Sequence, residues 1–123
     1  MTTRITFTTM GKNYLEGAMS EEDFAAYFEG FVPSLMLFRD EFKQKIEPAI
    51  FFNPDSKKLA EKSAAFTAIF DGMERGVALI KESLSAKEKK RFEKGYRMII
   101  DSTEKLAALK TEVSEIMKTM SPL

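Results

Sequence analysis

The chain of 123 residues contains no cysteine, no histidine and no tryptophan. Without cysteine no disulfide can form. Without thiolate or imidazole the usual protein ligands of zinc, copper and haem iron are missing. Ser-His-Asp and Cys-His nucleophilic machinery is excluded for the same reason. So is the Glu-x-x-His pairing on which di-iron helical bundles rely. Neither charge sign is in excess, with 19 basic and 19 acidic residues. No global field therefore draws the chain to nucleic acid or to an anionic membrane. No apolar run approaches the ~20 residues of a membrane span. The first dozen residues, MTTRITFTTMGK, lack the apolar core of a secretory signal, so a cytoplasmic location is the default expectation. No Gly-rich phosphate loop, nucleophile elbow or dinucleotide fingerprint is present.

Glycine and proline are scarce, at six and four. Few breakers and a hydrophobic share of 44% favour one domain built from long helices. The strongest start signal is Ser20 followed by Glu21, Glu22 and Asp23, a side-chain cap with acidic residues in the first turn. Met19 and Phe24 flank it as a hydrophobic staple. Phe24, Phe28, Phe31, Leu35, Phe38 and Phe42 then recur at alternating steps of four and three. Pro33 interrupts this stripe and predicts a kink rather than a break. Pro48 predicts the end of the helix near Glu47.

Residues 48–53 read as an unusually apolar loop containing Ile50, Phe51 and Phe52. Asn53 or Asp55 then serves as the next cap, with Pro54 at the first helical position if Asn53 is the cap. The second stripe is Leu59, Ser63, Phe66, Phe70, Met73, Val77, Ile80 and Leu84. Ser85 with Glu88 forms a capping box. The third stripe runs through Phe92, Tyr96, Ile99, Thr103, Leu106, Leu109, Val113, Ile116 and Met120.

The expected fold is all-α: an antiparallel up-down-up bundle of three long helices at residues 20–47, 54–84 and 86–120. All 123 residues form a single domain. Residues 1–18 are an arm or a short fourth helix. Ile5 and Phe7 alternate with Thr6 and Thr8, which favours an extended stretch. Met10, Tyr14 and Ala18 suggest a short helix around residues 9–16, with Gly17 as its terminator.

Folding the second and third helices about Ser85 sets Gly76 level with Gly95, where both permit a close backbone approach. Folding the first and second about Phe51 sets Phe31 level with Phe70 and Ile100. The same fold sets Phe38 level with Ser63, beside Ala107 and Ala108, so that a large ring meets small residues. Ile116, Met117 and Met120 fall beside the apolar loop and would cover it. Charges agree: Lys57, Lys58 and Lys62 fall near Glu112 and Glu115. The basic start of the third helix, residues 87–97, falls at the same end as Glu21, Glu22 and Asp23.

Several groups are candidate sites. The basic cluster with Lys90 and Arg91 could receive an acidic partner or a phosphate, or be a solvated face paired with Glu21, Glu22, Glu88 and Glu93. Asp101 with Glu104, Glu112 with Glu115, and Asp40 with Glu41 are carboxylate pairs on helix faces. Such pairs arise constantly by chance, so no metal site, cofactor or catalytic residue is assigned. Phe31, Phe70 and Ile99, beside Pro33, could line a pocket for a small apolar ligand or simply be packed core. Ile5, Phe7, Met10 and Tyr14 of the N-terminal segment, and Phe51 and Phe52 of the apolar loop, could contact a partner protein. Three long helices leave a groove, and either the segment 1–18 or another chain could fill it. The expected function is therefore non-enzymatic: an adaptor, chaperone or regulator that binds a partner helix or forms a homodimer. A sensory or carrier bundle with an apolar ligand is the alternative. Neither nucleic acid nor membrane is an expected partner.

Overall fold

A computed structural model describes residues 2–118, with side chains from residue 6 onward. Among them the chain forms four helices: α1 (Thr2–Leu15), α2 (Glu21–Phe52), α3 (Lys57–Ala86) and α4 (Lys89–Lys118). The all-helical class is as the periodicity predicts. Four helices are found beside the three long ones expected with an arm or short fourth helix, because residues 2–15 form one unbroken helix and not an extended stretch followed by a short helix around residues 9–16. A four-residue alternation at Ile5 to Thr8 is too short to outweigh the heptad step from Phe7 to Tyr14, both buried. Gly17 does terminate α1. It has φ +81°, its N–H donates to the Tyr14 carbonyl, and the Ala18 N–H donates to the Asn13 carbonyl. Those two bonds and the left-handed residue are the Schellman stop.

Consecutive helices run antiparallel. Phe7 of α1 lies against Phe31 and Tyr96, while Tyr14 lies against Phe24 and Phe92. The end of α1 thus meets the starts of α2 and α4. Among the described residues helix α1 contacts α2 and α4 but not α3, so it occupies the fourth corner of an up-down-up-down bundle. With 14 residues it spans about 21 Å, less than half the length of α2. Helices α2 and α4 also meet directly, through Phe24 and Phe92 beside α1 (ring centroids 5.0 Å apart) and, beyond α1, with the Lys110 Nζ 5.4 Å from the centre of the Phe38 ring.

Helix α2 begins as expected. The Asp23 N–H donates to Ser20 Oγ (3.1 Å), and Met19 packs on the core. It does not stop before Pro48. It runs without a break through both Pro33 and Pro48 to Phe52. Both prolines occupy exposed positions. There the lost hydrogen bond leaves a carbonyl open to water rather than buried. Asn53 then closes the helix: its Nδ2 donates to the Ala49 carbonyl and its backbone N–H to that of Ile50. Asn53 is therefore a C-cap. The N-cap of α3 is Ser56, whose Oγ accepts the Leu59 N–H at 3.3 Å. Neither Asn53 nor Asp55 has that role.

The longer α2 moves the turn and shifts the register between α2 and α3. Phe42 stacks on Phe66 with ring centres 4.4 Å apart, where Phe38 was expected level with Ser63. The displacement is four residues on one helix and three on the other, one heptad in all. A heptad brings the same stripe back to the same face, so the core composition survives the shift. The α3–α4 register is as expected. Gly76 meets Gly95: a Cβ on Gly95 would lie 2.7 Å from the Gly76 carbonyl oxygen, and one on Gly76 would lie 2.9 Å from that of Gly95.

The α3–α4 turn differs from a Ser85 cap. Helix α3 continues to Ala86, and Lys87 adopts φ 59°, ψ 38°. The N–H groups of Lys87 and Glu88 both donate to the Ser83 carbonyl. Lys87 is the only described non-glycine residue with positive φ. The left-handed conformation costs an L-residue about 1–2 kcal/mol. Lys87→Gly is therefore expected to stabilise the protein by about 1 kcal/mol, read as a higher urea midpoint with unchanged slope.

Candidate functional site

The sequence-predicted site residues separate into two groups. The first is core. Phe7 is 1% exposed and stacks on Phe31, with centroids 4.4 Å apart and planes 14° from parallel. It also touches Phe28 and Tyr96. Tyr14 is buried between Phe24 and Phe92, and the Lys89 Nζ lies 5.6 Å from the centre of its ring. Met10 is half-buried against the same cluster. Phe31, Phe70 and Ile99 are buried as well. The face of Phe31 that a ligand would use is covered by Phe7. The side chain of Ile5 and all of Met120 lie outside the described residues.

Two features beyond the sequence reading hold α1 in place. The Tyr96 hydroxyl donates to the Thr8 carbonyl at 2.6 Å. Gly11 is buried directly against the Tyr96 ring, where a Cβ would come to 2.2 Å from Cε1. The signal for this was present in the residue pattern. Phe7, Gly11 and Tyr14 stand at steps of four and three, with the side-chain-free position facing the largest ring. Burial raises the hydroxyl pKa of Tyr96 and Tyr14 above the ordinary value, in Tyr14 with help from the Glu21 carboxylate, and it pushes that of Tyr27 up to about 12. Tyr96 therefore keeps its proton, and its bond to Thr8, throughout the neutral range.

The second group is exposed. The apolar segment was expected to be covered by Ile116, Met117 and Met120. Instead Phe51 is 76% and Phe52 60% exposed. They lie in the last turn of α2 with both rings exposed, while Ala49 just before them is buried and Ile50 partly so. The two rings meet edge to face with centroids 5.2 Å apart. Met117 of α4, at the same end of the bundle, is also exposed. Leu37 is exposed on the outer face of α2.

The basic cluster is paired in part as expected, with Glu88 and Glu93 but not with the acidic start of α2. Arg91 binds Glu82 at 3.8 Å and Glu88 at 3.2 Å, and Arg97 binds Glu93 at 2.8 Å. Lys90 is exposed. Among the described residues Glu21, Glu22 and Asp23 form no ion pair with this cluster, although Phe24 and Phe92 bring the starts of α2 and α4 into direct contact, with ring centroids 5.0 Å apart. At the far end Lys62 does bind Glu112, as predicted. The carboxylate pairs have other partners or none that converge: Asp40 binds Arg39 and Glu115 binds Lys118. Among the described residues no group of three or more acidic side chains is placed to hold a metal ion. No described helix is long and apolar enough to cross a membrane.

Neither a protein-family model, nor a curated protein, nor a solved structure matches this chain.

Proposed function

We propose that the protein is a non-enzymatic interaction bundle, an adaptor, chaperone or regulator that binds another protein chain through the exposed end of α2. The observation that carries this reading is the Phe51–Phe52 pair. Among the described residues, the other phenylalanines are buried or half-buried. These two extend a helix by a full turn beyond a proline and place both rings in water. Single exposed apolar residues are ordinary, whereas adjacent aromatic rings with a methionine at the same end resemble the anchors of protein interfaces. The ligand-carrier alternative has less support, since Phe7 fills the space against Phe31.

The test is Phe51→Ser with Phe52→Ser. Removing exposed rings should leave stability within about 0.5 kcal/mol of the parent. A photo-crosslinking residue at position 51 should give one dominant protein adduct in cells, or a dimer of the chain in vitro, and Phe52→Ser should abolish it. A diffuse set of adducts that Phe52→Ser leaves unchanged, or a large loss of stability in the double variant, would sink the proposal.

A further inference from the structure

The groove that holds α1 is lined by Phe24, Phe28 and Phe31 of α2 and by Phe92 and Tyr96 of α4. We propose that α1 is an exchangeable occupant of this groove, and that in trans the groove takes α1 of a second copy of the chain. The proposal rests on the reading of the protein as an interaction bundle, but it uses a different surface from Phe51 and Phe52.

Three observations lead to it. First, the ring contacts and the Tyr96–Thr8 hydrogen bond that seat α1 connect it to α2 and α4 alone. None involves residues 16–20, which tie α1 to α2. These contacts can therefore form unchanged when another copy supplies α1, which is the condition for low-cost exchange of an element between protomers.

Second, the groove is selective. The Tyr96 ring demands a glycine beneath it. Phe31 and Phe28 receive a ring four residues before that glycine, and Phe24 and Phe92 receive one three residues after it. Of the six glycines in the chain, only Gly11 has an aromatic residue at both positions. A second copy is thus the occupant whose chemistry the groove already fits.

Third, apart from Met19, which packs on the core, the tether is held locally. Glu16, Gly17 and Ala18 donate backbone bonds to Lys12, Tyr14 and Asn13 of α1 itself, and the space around Gly17 is open. With Gly17 at φ +81°, a residue carrying Cβ there favours a straightened connection over the closed turn. A five-residue tether gives α1 a high effective concentration at its own groove, so cis occupancy dominates in dilute solution. Trans occupancy emerges when the cis helix cannot seat.

The deciding experiment uses full-length Gly11→Val, whose own α1 is barred by Tyr96 while its groove residues are intact. The probe is a synthetic peptide of residues 2–18. The peptide should bind this chain one to one and raise its Tm saturably. A Gly11→Val peptide should do neither. The unmodified chain should bind the peptide roughly 100-fold more weakly, because its groove is occupied in cis. In analytical ultracentrifugation Gly17→Ala should raise the dimer fraction of the full chain. If Gly11→Val does not fold alone, refolding with the peptide should restore a cooperative melt. Absence of binding to the folded variant, equal binding of the Gly11→Val peptide, or no recovery on refolding would each overturn the proposal. Equal or tighter binding of a helix lacking the Phe-Gly-Tyr spacing would overturn the assignment to a second copy in favour of a foreign helix. Phe51→Ser with Phe52→Ser should leave peptide binding unchanged, so failure here is separable from failure of the interaction surface at the end of α2.

Discussion

Phe7→Ala is expected to destabilise the protein by about 3–5 kcal/mol, the range for deleting a buried aromatic side chain. The magnitude follows from where the ring sits. Phe7 is 1% exposed and packs simultaneously on two rings of α2 and one of α4. Its neighbours are aromatic and cannot readily close the vacancy, so the cavity contribution adds to the lost burial. The substitution also removes the anchor of an element that touches only two other helices. Urea unfolding followed by circular dichroism measures the loss. Phe51→Ala on the exposed end is the matched comparison and should change stability by no more than about 0.5 kcal/mol. A Phe7 effect below about 1 kcal/mol would mean that α1 is not part of the core.

The second large effect is at the α3–α4 crossing. Gly76→Ala and Gly95→Ala are each expected to cost about 2–3 kcal/mol net, although alanine in a helix is intrinsically favoured over glycine by about 1 kcal/mol. The reason is that a backbone carbonyl oxygen of the facing glycine obstructs each site: it is the nearest atom at Gly95 (2.7 Å), and at Gly76 it lies at 2.9 Å, just behind the Ile99 Cγ1 at 2.7 Å. A side chain can rotate away, but a helix backbone cannot. Relief therefore requires the two helices to separate, which loosens Ile80 and Ile99 beside the contact, both fully buried. Once separated, the helices accommodate the second methyl group more easily, so the double variant should cost less than the two singles together. Gly30→Ala is the control. A Cβ there meets nothing within 4 Å, and the propensity gain should appear as stabilisation of about 1 kcal/mol.

The fold was legible where local chemistry and periodicity agreed. Ser20 with its acidic first turn, the Phe24 to Phe42 stripe and the Gly76–Gly95 level match all follow from spacing alone. The misreadings came from features whose effect depends on which face they occupy. Pro48 signals a stop in a buried helix, but on the exposed face α2 passes through it and ends on Asn53 one turn later. That one turn moved the α2–α3 contact by a heptad, a shift invisible to stripe composition. The lysine and arginine cluster looked poised for Glu21, Glu22 and Asp23. Charge counting along the chain cannot see which carboxylates take the cluster: Arg91 pairs with Glu82 and Glu88, and Arg97 with Glu93. In the site region Phe7, Met10 and Tyr14 pack into the core of their own chain, one of the two placements that their spacing left open. Phe51 and Phe52 were singled out too, and their exposure could not be read from composition because cover by α4 was equally consistent with the pattern.

Helix α1 is docked in the fourth corner of the bundle, and native-state hydrogen exchange tests that docking directly. The amides of Gly11, Lys12, Asn13 and Tyr14 have helical acceptors and lie where α1 meets α2 and α4. They should exchange with an opening free energy of at least about 3 kcal/mol, set by the burial of Phe7 alone. Exchange of these amides at the rate of unstructured chain, while Ile99 and Ile80 remain protected, would contradict it.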